Sequence, residues 1–421
     1  MTLELADDAK GETQGAFTLW EVQLFEKFVQ ELGIPECPRP YEPLVSVTPA
    51  NSEGDQALMY RPVAPRGPSK SAETVVYHTT LSDIQNSTPK STRATLHVEI
   101  DISSEPKLKY DVGDHIAVWP DSPASEVGQL RVALGLTETD MHKAITVDQI
   151  DPNSPVPWPR PVTLHALFER HLDIACLVSR SLILDLKQFA STQACQRALD
   201  ELVHNYKDQC LARRMTLASV LRYCDPTPSA WAAIPQSFLL ENLLPIKPRH
   251  YSIASTPAVT PRAISFTVAV KDIQLTSGEQ LLGLASGSLI SVHDTHSRTS
   301  QSSCGLWCTV RRSKFKPPVA PMHPMIMIAN GSGIAPFLGF LRHRLRTFQL
   351  NGDIGQMVLI YGCQDQSMYL YRSEIEEIQQ ALGDRLRIVL AYSRQGGGYV
   401  QDQVAAQGSY LSELLCSEKA N

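Results

Sequence analysis

The stretch KPRHYSIAST, residues 247–256, places an arginine, a tyrosine and a serine within four positions. Successive side chains of a strand point to opposite faces, so Arg249 and Tyr251 would share one face and Ser252 would lie on the other. An arginine can bind a phosphate through two parallel hydrogen bonds, and a tyrosine ring offers a flat surface on which an aromatic ligand can stack. The pattern indicates a site for a phosphorylated aromatic ligand. An edge strand with an exposed arginine and a half-buried tyrosine is the structural alternative.

Two glycine-rich stretches offer backbone N–H groups to further phosphates. IANGSGIAPF follows an apolar run and opens a helical pattern, so Gly331 and Gly333 would let a pyrophosphate approach the positive end of a helix. Pro336 stands where the third glycine of the dinucleotide fingerprint would be. In GLASGSL, backbone N–H groups and the Ser286 hydroxyl could hold a second phosphate at a helix start. Taken alone, each stretch is equally compatible with an ordinary turn.

The elements that would position these residues follow two different rhythms. Strand-like runs occupy residues 72–120, a helical pattern with proline clusters fills about 125–245, and strand signals return around residues 249–315. After Pro317, short apolar strands alternate with amphipathic helices, which is typical of a parallel sheet of βαβ units. We therefore expect an α+β body, antiparallel and interrupted by a helical insertion, followed by an α/β body.

The N-terminal part carries one helical pattern and then an irregular stretch. Apolar residues recur at helical spacing from Leu19 to Leu32, and Gly33 and Pro35 would end that helix. From Pro35 to about Lys70 the composition turns to Pro, Ser, Gly and Glu, which predicts a linker.

Bulk composition excludes several classes of protein. The chain has 421 residues, enough for two or three domains, and its net charge of -6 does not indicate nucleic-acid binding. The nine cysteines are an odd number without a CxxC pair, so we expect reduced thiols. No signal peptide and no apolar run of about 20 residues is present. We expect a cytoplasmic chain without a membrane segment or an anchor of its own.

Two other kinds of chemistry receive little support. His293 and His296 have metal-like spacing but no partner ligands, so no metal site is predicted. No nucleophile-elbow sequence accompanies a Ser/His/Asp set, so a hydrolase is not expected.

The segments RHYS, GLASGSL, GSGIAP, YGC, YSR and YVQ, in this order, resemble the ferredoxin-NADP reductase superfamily. The helical insertion makes the chain most similar to the diflavin reductases, of the NADPH-cytochrome P-450 reductase type, and the similarity extends over essentially the whole chain. The resemblance implies an antiparallel β-barrel FAD-binding domain at residues 41–316, with a connecting insertion at about 125–245, and an NADP-binding domain at 317–421. Residues 1–40 look like the end of a flavodoxin-like domain plus a hinge.

The same resemblance implies roles for individual residues. Arg249 would contact the FAD pyrophosphate, Tyr251 would stack on the isoalloxazine, and Ser252 would be the catalytic residue near the reactive flavin nitrogen. The remaining cofactor contacts would come from three groups: the FAD phosphate cradle of Gly283, Ala285, Ser286, Gly287 and Ser288; the NADPH pyrophosphate turn of Gly331, Ser332 and Gly333; and Ser393, Arg394, Tyr399 and Gln401 for the 2'-phosphate and adenosine end. The implied cofactors are FAD and NADPH.

Several departures from the family pattern limit these expectations. FMN-binding segments are missing before the first helix, so no FMN site is expected in this chain. The family's last strand, with a Cys-Gly-Asp-like motif, and its terminal aromatic do not occur before Asn421, and we do not transfer the role of that cysteine to Cys416. Gly397 replaces a phosphate-binding lysine. We therefore expect a C-terminally truncated NADP-binding domain and weakened NADPH binding.

Two functions are consistent with these residues. The first is an FAD-dependent reductase that accepts hydride from NADPH and passes electrons to a haem protein such as a cytochrome P-450, directly or through a separate flavodoxin-like carrier. The second is a catalytically impaired FAD-binding module, or an incomplete gene product, of such a reductase.

Overall fold

We analysed a computed structural model of the chain. It describes residues 13–33, 40–50, 59, 61–62, 76–88, 94–152, 156–275, 278, 280–299 and 305–416. The His296 side chain of the HDTH motif lies outside the described part. Within the part that is described, no helix is both long and apolar enough to cross a membrane.

Apart from the strands Val45–Pro49, Ala144–Gln149 and Val162–Thr163, strands and helices occur in the order that the sequence patterns predict. The strands are β1 (Val45–Pro49), β2 (Tyr77–Asn86), β3 (Thr95–Asp101), β4 (His115–Trp119), β5 (Ala144–Gln149), β6 (Val162–Thr163), β7 (Arg249–Ser252), β8 (Ala263–Ala269), β9 (Asp272–Gln274), β10 (Gln280–Leu282), β11 (Gly305–Arg311), β12 (Met325–Asn330), β13 (Met357–Cys363) and β14 (Leu386–Tyr392). The helices are α1 (Thr13–Leu32), α2 (Ala124–Ala133), α3 (Glu138–His142), α4 (Leu164–Ala166), α5 (Arg180–Leu186), α6 (Gln193–His204), α7 (Leu217–Cys224), α8 (Gln236–Asn242), α9 (Leu284–Thr299), α10 (Ala335–Asn351), α11 (Arg372–Leu382), α12 (Val400–Ala406) and α13 (Gly408–Cys416).

The chain divides into two compact units. The first contains the described residues of 1–63, 122–246 and 274–280, and the second those of 64–121, 247–273 and 281–421. In the first unit, α2 to α8 surround a continuous apolar core that includes Phe168, Trp231 and Phe238. Such a core forms because the helices α6 and α7 carry their apolar residues on one face.

The first unit also contains a small sheet that the sequence patterns did not predict. β1, β5 and β6 form a three-stranded sheet in that order, and Val45 of β1 pairs with Gln149 of β5. β1 lies in the stretch that the composition predicts to be a linker, so that prediction is wrong for residues 45–49. Apolar and polar residues alternate in VSVTP, and Val45 is buried, which favours a strand. The pattern does not identify the partner strand, which lies about a hundred positions away.

A buried histidine makes the first unit sensitive to acid. His171 is almost fully buried, its Nε2 lies 2.7 Å from the carbonyl oxygen of Met59, and its ring meets Trp158 edge to face. Burial, followed by the neighbouring charge of Arg170, lowers the pKa of His171 from 6.5 to about 4, although the hydrogen bond to Met59 opposes this shift. The imidazole is therefore neutral in the folded protein at neutral pH.

We expect this histidine to destabilise the first unit as the pH falls. The unfolded chain binds a proton near pH 6.5 and the folded chain only near pH 4, so the stabilisation is complete above about 6.5 and is lost between these values. Between pH 7.5 and 5 the loss is about 2 kcal/mol. Urea unfolding of His171→Gln at both pH values should show a smaller pH dependence than the wild type. The exposed His204→Gln is the control, and an equal pH dependence in all three proteins would contradict the assignment.

The second unit is built on a six-stranded antiparallel sheet in the order β7-β4-β11-β2-β3-β8. Alternate side chains of these strands enclose an apolar core that includes Ile116, Phe266 and Cys308. The edge strands β7 and β8 approach each other just beyond Ser252, where Ile253 bridges Phe266 and the Ala254 N–H donates to the carbonyl of Ser265 (2.7 Å). Among the described residues this short contact, and not a continuous ladder, joins the two edges. The expected antiparallel sheet is therefore confirmed, but its closure into a barrel is not.

A parallel sheet follows in the same unit. β12, β13 and β14 pair in register in that order, with α10 and α11 as crossover helices, which confirms the predicted βαβ pattern. β13 is buried along its whole length, as expected for the central strand of a sheet covered on both faces. The carboxyl ends of the three strands lie at one edge, where open α/β sheets bind ligands.

Candidate functional site

The strand β7 presents Arg249, Tyr251 and Ser252 as predicted, and β4 fixes its register. Ser252 lies opposite His115, Tyr251 opposite Ile116 and Arg249 opposite Val118. The side chains of Arg249, Tyr251 and Ser252 are half-buried, whereas that of His250 is exposed. Because directly opposed residues share a face, Tyr251 lies on the same face as the core residues Ile116 and Val118, and Ser252 lies on the other.

The ring of Tyr251 packs on the buried Phe266, with the ring centroids 5.3 Å apart and the planes tilted by 26°. Burial raises the pKa of the Tyr251 hydroxyl, so it stays neutral at physiological pH. A ring held in this way is a rigid surface for a second aromatic group.

The predicted phosphate cradle lies at the first turn of α9. The Gly283 N–H donates to the carbonyl of Lys271 (2.7 Å), and the Gly287 N–H donates to the carbonyl of Gly283 (2.8 Å). The buried Ser286 hydroxyl donates back to the carbonyl of Gly283 (3.1 Å), so it stabilises the turn itself. The first amides of this 16-residue helix, those of residues 284–286, have no intrahelical acceptors, which is the arrangement that binds a phosphate.

β4 connects the arginine to this helix start. Beyond Val118, which faces Arg249, the chain reaches Asp121, whose N–H donates to the Ser288 hydroxyl (3.0 Å). Arg249 and the first turn of α9 therefore lie toward the same end of β4, and Ser252 lies at its other end. A ligand with phosphates at one end and an aromatic ring system at the other would follow this direction.

The turn after β12 leaves its two glycines free of neighbouring atoms. Residues Gly331–Ile334 form one 3₁₀ turn that leads into α10, and the carbonyl of Gly331 accepts a hydrogen bond from the Tyr361 hydroxyl (3.2 Å). Gly331 has a φ of +53°, and a Cβ atom at Gly331 or Gly333 would meet nothing within 4 Å. Ser332 and Gly333 are exposed. The backbone is therefore open to a ligand at the positive end of α10.

Ser393 and Arg394 lie at the same edge of the parallel sheet. Their N–H groups donate to the carbonyls of Cys363 (3.0 Å) and Gln364 (2.9 Å), which continues the pairing of β14 with β13 beyond the strand ends. Both side chains are exposed. Since neighbouring strands are about 4.8 Å apart, the end of β14 lies roughly 10 Å from that of β12.

Tyr399 and Gln401 are placed beside this edge by the loop after β14. Tyr399 precedes α12 and is 62% exposed, with its N–H donating to the Asp402 carboxylate (2.7 Å). Gln401, in the first turn of that helix, is also exposed. Both side chains are accessible to a ligand at the carboxyl edge of the sheet.

The sequence patterns missed one charged group that supports this region. The carboxylate of Asp114 is fully buried and accepts hydrogen bonds from Lys316 Nζ (2.6 Å) and Arg312 Nη1 (3.1 Å). Its backbone carbonyl accepts from the N–H of Ile253 (3.0 Å), the residue after Ser252. Arg312 directly follows β11, and although its side chain is largely exposed, it pairs with this carboxylate.

Comparisons with known proteins find two domain families in this chain. Residues 69–287 match the family model described as FAD binding domain, and residues 327–419 match that described as Oxidoreductase NAD-binding domain. The chain is 29% identical over 460 residues to NADPH–cytochrome P450 reductase of Aspergillus oryzae (99% of this chain, 65% of the relative) and 28% identical over 446 residues to that of Candida tropicalis (98% and 65%). The chain thus spans about two thirds of the length of these relatives.

Proposed function

This chain belongs to the family of FAD binding domains, and we propose that it is an NADPH-dependent flavoprotein oxidoreductase. The observation that carries the proposal is the alignment along β4, which places the first turn of α9 and Arg249 toward one end and Ser252 at the other. This order matches the order of phosphates and ring system in FAD. We assign a second nucleotide site to the parallel sheet of the same unit.

FAD, when bound, supplies the acceptor for hydride from the nicotinamide ring. We assign this chain's residues the tasks of binding and orientation. The guanidinium of Arg249 and the first amides of α9 would bind the pyrophosphate, and the ring of Tyr251 would stack on the isoalloxazine. The hydroxyl of Ser252, at the other end of β4, would hydrogen-bond the reactive edge of the flavin. We further assign the six-stranded sheet to the barrel of this family, within an FAD-binding region at residues 41–316.

For the second nucleotide we propose NADPH, bound by residues 317–421. Gly331, Ser332 and Gly333 present open backbone to its pyrophosphate. The side chains of Ser393 and Arg394 bind the 2'-phosphate, because a serine hydroxyl and a guanidinium are both donors to phosphate oxygens. Tyr399 and Gln401 contact the adenosine end. The roughly 10 Å between the two strand ends suits a nucleotide lying across the sheet edge.

We propose that electrons leave toward a haem protein. The relatives' printed name, NADPH–cytochrome P450 reductase, points to an acceptor of the cytochrome P450 type, reached directly or through a flavodoxin-like carrier. A cytoplasmic location stays a prediction from the sequence.

The test is reconstitution followed by anaerobic reduction. Purified protein incubated with FAD and desalted should retain a flavin absorption band near 450 nm, and NADPH should bleach that band much faster than NADH. Failure to retain FAD would overturn the proposal. A retained band that NADPH does not bleach would leave the alternative function, an FAD-binding module without reductase activity. Dithionite bleaching is the control that the bound flavin can be reduced.

A further inference from the structure

We propose that α10 sets the position of the nicotinamide nucleotide relative to the flavin strand, and that Arg342 is the positioning residue of this helix. The inference rests on the proposed function and goes beyond it, because it assigns a role to residues outside the cofactor contacts. The helix begins at the turn of Gly331–Ile334, and its middle contacts the segment directly after Ser252.

The first contact is a close approach between backbones. A Cβ atom at Gly339 would lie 3.2 Å from the carbonyl oxygen of Ser255 and 3.4 Å from that of Ala254. Only glycine allows α10 to lie this close to the flavin segment without a shift of a few tenths of an ångström. Ala254 is also fully buried in the core that α10 helps to form.

The second contact is the guanidinium of Arg342, three residues along the same helix. Its Nη1 donates to the carbonyl of Ala254 (3.0 Å) and to the Ser265 hydroxyl (3.3 Å). Its Nε and Nη2 donate to the two carboxylate oxygens of Glu374 on α11 (2.5 and 2.8 Å). One planar group therefore connects α10 to α11, to β8 and to the flavin segment at once.

A third contact holds α11 against the same antiparallel sheet. Tyr371 precedes this helix in the left-handed conformation, with φ +56°, and its hydroxyl lies 2.6 Å from the Thr267 hydroxyl and 3.0 Å from His97 Nδ1. Thr267 and His97 are directly paired on β8 and β3. The two crossover helices are thus attached to the sheet by side chains that do not lie at either predicted cofactor site.

These contacts have a direct consequence for hydride transfer. Ala254 is two residues from Ser252, a distance of about 7 Å along an extended chain. Gly331 is joined to Arg342 by the 3₁₀ turn and the first part of α10. The reacting atoms of a hydride donor and acceptor must lie about 3 to 3.5 Å apart, and a displacement of 1 Å can lower the rate about 100-fold. A helix attached to the flavin strand at two points restricts such displacements.

The experiment compares Arg342→Met with Arg342→Lys and with Arg346→Met, which alters an exposed arginine on the same helix. In FAD-loaded protein, the rate constant for flavin bleaching by saturating NADPH should fall at least 10-fold in R342M. It should fall less in R342K, because a lysine can reach one acceptor but cannot bridge two. R346M should match the wild type. The dissociation constants of FAD and of 2',5'-ADP, measured by calorimetry, should change less than 3-fold in all variants.

Gly339→Ala is a second variant, which keeps the inference testable if R342M misfolds. Alanine has a higher helix propensity than glycine, but its Cβ would push α10 away from the flavin segment. Slower hydride transfer without a lower melting temperature would therefore identify the displacement of α10 as the cause. Hydrogen exchange of peptides covering residues 250–258 provides a readout that does not depend on NADPH. Faster exchange in R342M, but not in R346M, supports the contact whether or not NADPH reduces the wild type. If NADPH does not reduce the wild type, only the proposed function fails. Unchanged exchange and unchanged rates in R342M and G339A would overturn the inference.

Discussion

Replacing Arg249 with alanine should weaken FAD binding about 100-fold. The guanidinium lies on β7 toward the α9 end of β4, where two charge-assisted hydrogen bonds to a pyrophosphate together contribute roughly 3 kcal/mol. A free-energy difference of 1.4 kcal/mol changes a dissociation constant tenfold. Titration of the apoprotein with FAD, followed by the quenching of flavin fluorescence, measures the effect.

Two further variants test whether the loss of FAD affinity comes from the paired donors of Arg249. Arg249→Lys keeps the positive charge but not the paired donors, so its dissociation constant should lie between those of the wild type and R249A. His250→Ala removes an exposed side chain from the opposite face of the same strand and should bind FAD within about twofold of the wild type. Equal affinity of R249A and H250A for FAD would show that Arg249 does not bind the cofactor.

The second large effect is expected at Asp114. In Asp114→Asn, Arg312 loses its carboxylate partner and Lys316 keeps only the more distant Asp111 (3.8 Å). The new NH₂ group also faces N–H donors such as those of Ser313 and Asp111. Removing one partner of a buried ion pair typically costs 3–5 kcal/mol. Because Lys316 and Arg312 are partly exposed, we expect about 3 kcal/mol, and a melting temperature of the second unit lowered by roughly 6–12 °C.

Differential scanning calorimetry of the FAD-free protein tests this expectation. The matched control is Asp353→Asn, which breaks an exposed ion pair with Arg385 at 3.9 Å and should shift the melting temperature by less than about 2 °C. The backbone carbonyl of Asp114 accepts from the N–H of Ile253, so a displacement of this turn in D114N would also move the segment after Ser252 and lower the affinity for FAD. A melting temperature equal to that of D353N would show that the buried carboxylate is not a main support of this turn.

The extent to which the sequence predicted the site differs from residue to residue. Arg249, Tyr251 and Ser252 lie on a strand, and Gly331 lies in an open turn between a strand and a helix, as the patterns predict. For Ser286 the pattern suggested a phosphate ligand, but in the structure its hydroxyl is directed to the carbonyl of Gly283. A serine at a helix start can bond either way, and only the packed turn decides between the two.

What the amino-acid sequence alone determined is local: where most strands and helices lie, in which order they occur, and which short motifs they carry. These follow from the spacing of apolar residues and from glycine and proline, whose effects reach only a few positions. The tertiary structure decided that β1 pairs with β5, that β4 aligns Arg249 with α9, and that Asp114 and Arg342 hold the segment after Ser252. Most of these contacts join residues that are separated by roughly 80 to 200 positions. Arg249 and the start of α9, which β4 aligns, are closer in sequence. They form because burial of a charge or a backbone group requires a partner, and no local pattern specifies which distant residue supplies it.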